Sequence, residues 1–218
     1  MGRVGCVAAP RANFSLTFGP FRKALEWVTG ISAKRPLPLY TRRRFDKWFS
    51  QRGSKTGTRG AVVLWDDCFV RYNEPHVGEA AVKVLESAGF EVRLAESRQC
   101  CGRPAFSRGC LNDAKRAGEH NVAMFLNDGT DLPILFLEPS CYSMFAEDYR
   151  ELGVADAETV ARRCVTFEDF IFALLSREPD AICFGKSLGR VVVHGHCHAK
   201  ALTDVSALAR LADYLEDT

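Results

Sequence analysis

Residues 61–68 read Ala61-Val62-Val63-Leu64-Trp65-Asp66-Asp67-Cys68. Five apolar residues in a row, entered from Gly60 and left through two aspartates, have the length and content of a strand buried on both faces, the kind found in parallel sheets. Working outward, Val77 to Ala88 has helical periodicity and stops at Gly89, and Phe90-Glu91-Val92-Arg93-Leu94 alternates as a strand does. Asn112 to Leu126 reads as a helix, Pro133-Ile134-Leu135-Phe136-Leu137 as a strand, Tyr142 to Leu152 and Phe167 to Leu175 as helices. Arg190-Val191-Val192-Val193 reads as a strand leading to His194. Strands alternating with helices predict an α/β fold, a parallel sheet flanked by helices and joined by right-handed crossovers.

In such sheets ligands bind beyond the carboxyl ends of the strands. Cys68, Cys100, Cys101 and Cys141 each follow a predicted strand and are expected to converge there. The adjacent pair in Arg98-Gln99-Cys100-Cys101-Gly102-Arg103-Pro104 is poor packing material: consecutive side chains diverge, and Gly102 lets the backbone turn tightly around whatever the pair holds. Ser140 reads as an N-cap that places Cys141 in a first helical turn, where the dipole favours thiolate. Taken singly, a cysteine is most often a small buried hydrophobe, and that is the reading for Cys6, Cys110, Cys164 and Cys183. The wording of residues 62–68 returns in Val191-Val192-Val193-His194-Gly195-His196-Cys197, the first element of a repeat. Only 21 residues follow Cys197, so residues 186–218 are expected to begin a second module that stops partway.

The chain has 218 residues and 47% hydrophobic content, ample for a core. No run approaches the roughly 20 apolar residues of a membrane span, and the start lacks a signal peptide's apolar core, so a cytoplasmic location is expected. Nine cysteines in a reducing compartment point to metal, redox chemistry or burial. Charge is lopsided. Residues 1–60 carry 13 Lys or Arg against Glu26 and Asp46, leaving the remainder at −9. Residues 1–60 read as a basic helical linker or docking segment: Phe14 to Ile31 with Phe21, Leu25 and Val28 at helical spacing, a break at Arg35-Pro36-Leu37-Pro38, a short helix holding Phe45, Trp48 and Phe49, and a Gly/Ser/Thr linker from Gln51 to Gly60. The bland reading is two helices lying on the main domain; the sharper one is docking to an acidic partner or an anionic membrane face. No recognition motif accompanies the charge, so nucleic acid is not expected. The first module then spans 61–185.

These residues resemble the cysteine-rich CCG domain of heterodisulfide reductase B subunits and of the iron–sulfur components of glycolate, D-lactate and anaerobic glycerol-3-phosphate dehydrogenases. Its pattern is a cysteine, some thirty residues, Cys-Cys-Gly, a similar gap, then Cys-x-x-Cys. Here 31 residues separate Cys68 from Cys100 and 39 separate Cys101 from Cys141. Glu74-Pro75-His76-Val77-Gly78, Glu138-Pro139-Ser140-Cys141 and His194-Gly195-His196-Cys197-His198-Ala199-Lys200-Ala201 resemble large fused proteins of this group, which carry a flavin-binding domain and a ferredoxin-like segment upstream. Met144 stands where the family has its last cysteine, and neither a ferredoxin motif nor a flavin-binding segment is in the sequence.

The resemblance implies a 4Fe–4S cluster on Cys68, Cys100, Cys101 and Cys141, with Cys197 the ligand of the second module. Gly102, Ser140, His196, His198 and Lys200 would surround the centre. It implies electron transfer from FAD in a missing or partner domain, through iron–sulfur centres, towards a quinone or another acceptor, with a ferredoxin-like segment as a partner and a cytoplasmic place that allows peripheral contact at the inner face of the cell membrane. The chain alone is not expected to oxidise substrate. Two alternatives stay open: a zinc-stabilised interaction module, invited also by His194, His196 and His198 alternating on a strand end, and thiol–disulfide chemistry at Cys100–Cys101.

Overall fold

The computed structural model describes residues 2–53, 55–185, 192–204 and 206–214. They form two compact units, Met1–Gly53 with Cys68–Ala80, and Ser54–Asp67 with Ala81–Thr218.

The first unit is helical: α1 (Gly2–Val7), α2 (Ala9–Thr17), α3 (Gly19–Thr29), α4 (Phe45–Gln51), α5 (Cys68–Tyr72) and the first half of α6 (Pro75–Ser87). The expected single helix over Phe14–Ile31 is two. Phe18 is extended, Pro20 lies in the first turn of α3, and Gly30 at φ 73° closes it. The apolar stripe of α3 does not pack inward as its spacing predicted: Phe21 is 45% and Val28 72% exposed, and Leu25 is half-buried. The buried residue is Arg22, whose guanidinium donates to the carbonyls of Ser32 (2.8 Å) and Arg35 (2.6 Å), satisfying acceptors of the loop that follows α3. The α4 reading holds. Phe45 is fully buried and stacks on Trp48 at 5.6 Å. Gly78 of α6 sits so close to this cluster that a Cβ would stand 2.6 Å from Val70 and 2.7 Å from the Phe45 ring.

The second unit is built on the sheet: β1 (Ala61–Trp65), β2 (Glu91–Leu94), β3 (Ile134–Phe136) and β4 (Cys164–Thr166) in the order β2-β1-β3-β4, every pair parallel. The expected α/β architecture is what forms. Around the sheet run α7 (Arg103–Ser107), α8 (Leu111–Asn127), α9 (Pro139–Ser143), a π-helical turn (Met144–Asp148), α10 (Tyr149–Glu151), α11 (Ala157–Ala161), α12 (Phe167–Arg177), α13 (Cys197–Leu202) and α14 (Ser206–Asp213). The core gathers Trp65, Phe125, Phe136, Phe145 and Tyr149, with Trp65 edge-on to Phe145 at 4.8 Å and Phe145 against Tyr149 at 4.7 Å. Each such ring contributes about 2–3 kcal/mol by burial, and well-placed pairs about 0.5–1.5 kcal/mol more.

Three expectations are corrected here. Residues 55–60 are not a free linker. Arg59 N–H donates to the Gly89 carbonyl (3.0 Å), Glu91 N–H to that of Gly60 (2.8 Å), and Lys55 pairs with Glu86, so backbone polar groups of this stretch are satisfied at the start of β2. Of the strand expected over Arg190–Val193, Arg190 and Val191 lie outside the described residues. Val192 and Val193 are exposed and in no strand. Cys110 and Cys183 are exposed, whereas Cys6 is buried and Cys164 half-buried with its sulfur on the Val160 carbonyl at 3.3 Å.

Candidate metal centre

Because all four strands are parallel, their carboxyl ends share one edge, and the segments carrying Cys100, Cys101 and Cys141 leave from β2 and β3 at that edge. The Cys101 and Cys141 sulfurs are buried and lie 3.0 Å apart. Cys100 is exposed beside them and hydrogen-bonds to the Cys101 side chain. Cys68 is half-buried as the first residue of α5 in the other unit, and Cys197 is exposed at the start of α13. Among the described residues no group of three or more His, Cys, Asp or Glu side chains stands at metal-holding geometry.

The turn that presents the pair is fixed from several sides. Gly102 adopts φ 86°, and a Cβ there would come 3.2 Å from the Ala114 backbone, so the left-handed turn the sequence predicted needs glycine on two counts. Before the pair, Arg98 lies buried over the Trp65 ring at 5.3 Å, ion-paired to buried Asp66 at 3.2 Å and bonded to its carbonyl, which ties the loop to the end of β1. Helix α8 grips the same loop. His120 Nε2 meets the Ser97 carbonyl at 2.8 Å, where Ser97 is held at φ 57°. Asn121, fully buried, accepts from Gln99 N–H (3.0 Å) through Oδ1, which directs Nδ2 to the Cys100 carbonyl (3.2 Å) and the Tyr149 hydroxyl (3.3 Å). Tyr149 in turn donates to the Cys101 carbonyl at 2.8 Å. Burial, outweighing the Asn121 hydrogen bond, holds the tyrosine pKa well above its ordinary value and keeps it a neutral donor.

Cys141 sits in α9, but its cap is not Ser140. Glu138 is the N-cap, its carboxylate accepting from Ser140 N–H (3.1 Å) and the Ser140 hydroxyl (2.6 Å), because Pro139 occupies N1. The π turn beginning at Met144 follows at once, with Tyr149 N–H reaching back to the Met144 carbonyl, a feature often found beside functional sites. Met144 itself is fully buried in the core.

The hydrogen bond from Cys100 pulls the Cys101 thiol down, but the bond with Cys141, burial and the neighbouring sulfur together push it up. A bound metal ion reverses that balance, since a coordinated thiol is deprotonated outright. Cysteine sulfurs are the donors that iron–sulfur centres and zinc both take, so the residues present fit either in chemistry.

The three histidines do not align on a strand. His196 caps α13, its Nδ1 accepting from His198 N–H at 3.2 Å, and its ring stacks on that of His198 at 5.5 Å. His196 faces Glu138 at 3.9 Å, and His198 Nδ1 meets the Ser143 hydroxyl at 3.3 Å, so α13 touches the helix that carries Cys141. Lys200 is exposed on α13. Motif spacing gives no role to Asn121, Tyr149 or Arg98; the fold alone brings them to the turn.

Residues 62–146 match a family model described as CCG, a cysteine-rich domain. The chain is 28% identical over 211 residues to a component of the anaerobic glycerol-3-phosphate dehydrogenase of Escherichia coli (strain K12), covering 93% of this chain and 52% of that protein. It is 33% identical over 151 residues to "Lactate utilization protein A" of Bacillus velezensis, covering 66% of this chain and 60% of the relative. The corresponding Shouchella clausii protein is also 33% identical, over 149 residues. The chain thus spans between half and three-fifths of the length of these relatives. No solved structure matches it.

Proposed function

Starting from a chain that carries a cysteine-rich CCG domain, we propose that it is an electron-transfer module of a larger oxidoreductase and holds an iron–sulfur centre. The observation that carries this reading is the Cys101–Cys141 sulfur pair, buried at 3.0 Å with Cys100 adjacent, at the carboxyl edge of a parallel sheet. When bound, such a centre accepts and releases single electrons without moving substrate atoms. The chain's own residues fix the ligands. Gly102 turns the backbone, Asn121 and Tyr149 hold the Cys100 and Cys101 carbonyls, and Glu138 starts the helix that aims Cys141. The sequence pattern assigns Cys68 to the same centre and Cys197 to that of the second module.

One relative is named for a glycerol-3-phosphate dehydrogenase and another for lactate utilization, and on this reading the parent enzyme would be a dehydrogenase of such a small hydroxylated substrate. Electrons would come from FAD in a partner protein or domain and pass through iron–sulfur centres, a ferredoxin-like segment among the partners, towards a quinone or another acceptor. The basic first unit, with Trp27 and Val28 exposed, supports docking to an acidic partner. Among the described residues no helix is long and apolar enough to cross a membrane. The test is anaerobic purification with iron, acid-labile sulfide and zinc measured per polypeptide, and a paramagnetic resonance spectrum before and after mild oxidation. Iron with matching sulfide is expected, together with its loss in Cys101→Ser. About one zinc without sulfide would replace the reading by a structural metal site.

A further inference from the structure

Arg103 reaches both cysteine segments of the second unit. Its backbone N–H donates to the Cys101 sulfur. Its side chain, 14% exposed and lying over the Phe106 ring at 5.0 Å, crosses to the other segment: Nε donates to the Ser140 carbonyl (3.2 Å), and the guanidinium bonds the Ser143 hydroxyl and the Asp148 carboxylate. The Ser143 hydroxyl continues to His198, next to Cys197. One residue therefore links the Cys-Cys-Gly turn, the Cys141 helix and α13. The planar fork meets three acceptors that lie in different directions along one helical run, whereas a lysine ammonium would keep the charge and reach only some of them.

Arg103 and Asp148 also make a partly buried charge pair that joins the residue after the Cys-Cys-Gly turn to the helical run carrying Cys141. Thiolate ligation leaves the centre anionic, and each added electron makes it more so; in a partly buried setting a neighbouring cation favours the reduced form and an anion opposes it. The pair balances these effects. Removing either partner uncovers the other.

We propose that Arg103 is a positioning residue of the centre, clamping the Cys100–Cys101 turn to the Cys141 helix, and that the Arg103–Asp148 pair sets the centre's reduction potential. This rests on the iron–sulfur reading above. The sign is the distinguishing readout. Arg103→Gln leaves Asp148 unpaired and lowers the midpoint potential. Asp148→Asn leaves the guanidinium uncompensated and raises it. A residue that merely fills space would move both the same way or neither.

The experiment uses the full chain, purified anaerobically, with iron and sulfide content and a potentiometric titration followed by paramagnetic resonance for wild type, Arg103→Gln, Arg103→Lys and Asp148→Asn. Potential shifts of opposite sign in Arg103→Gln and Asp148→Asn support the proposal. So does loss of iron from Arg103→Gln with retention in Arg103→Lys, which keeps the charge and part of the hydrogen bonding. Unshifted potentials at wild-type iron content, shifts of the same sign, or equal loss of iron in all variants overturn it. Wild-type chain without iron and sulfide fails the underlying reading instead, and takes this one with it.

Discussion

Asn121→Leu tests the scaffold that presents the cysteine pair. Leucine shares the branched shape of asparagine, so the change removes hydrogen bonds without opening a cavity. Two backbone groups lose their partner, Gln99 N–H and the Cys100 carbonyl, and Tyr149 loses a donor while keeping its own donation to the Cys101 carbonyl. A polar group left unsatisfied in a buried setting costs about 1–3 kcal/mol. Gln99 and Cys100 are exposed residues, so water recovers part of this, and the net loss should be about 2–4 kcal/mol. At about 2–4 °C per kcal/mol for a chain of this size, the melting temperature of the metal-free protein should fall by roughly 4–16 °C. Tyr149→Phe strips the donor from the Cys101 carbonyl and should cost about 1–3 kcal/mol. Because the two side chains bond each other, the double variant should lose less than the sum, with a coupling of about 0.5–3 kcal/mol. Urea unfolding of the four proteins measures all of this. Asn121→Leu within about 0.5 kcal/mol of wild type, or strict additivity, would refute the claim that this network holds the turn.

Two further outcomes are expected. Gly102→Ala forces a Cβ onto left-handed backbone 3.2 Å from the Ala114 backbone, so it should destabilise the metal-free chain by about 1–3 kcal/mol and cut metal uptake, both read by thermal melts with and without ferrous iron and sulfide. Burial raises the Glu168 carboxyl above its ordinary value of 4.5. With the folded pKa raised, the stability this group contributes is present below 4.5 and lost as pH rises through the folded value. Glu168→Gln should therefore be more stable than wild type at about pH 7 and lose that advantage at about pH 4, as paired melts would show; an equal difference at both pH values would contradict the burial argument.

The sheet was legible where burial on both faces writes an unbroken apolar run, as in Val62-Val63-Leu64-Trp65 and Ile134-Leu135-Phe136. It was illegible at β4, where Cys164-Val165-Thr166 is three residues long and only Thr166 is buried. The α3 stripe misled because periodicity records amphipathicity and not what covers the apolar side. The cap before Cys141 was readable and misread: proline favours N1, so Pro139 points to Glu138 and not to the serine after it.

For the candidate site, sequence spacing identified Cys100, Cys101 and Cys141, and the conformation of Gly102, because cysteine pairs and glycine carry their chemistry on their face. The polar scaffold is a different kind of signal. Along α8 the buried residues are Ala114, Gly118, Asn121, Val122 and Phe125, so an asparagine occupies a core position in an otherwise apolar stripe. A buried asparagine must satisfy both ends of its amide, which makes such a position a marker for a backbone turn that lacks partners of its own. Here that turn is Gln99-Cys100-Cys101. Tyr149 follows Cys141 and Phe145 at four-residue steps, and the π turn between them belongs to tertiary packing that no local pattern encodes. Cysteines announce a candidate centre in the sequence; the residues that hold it rigid are visible there only as polar exceptions on apolar faces.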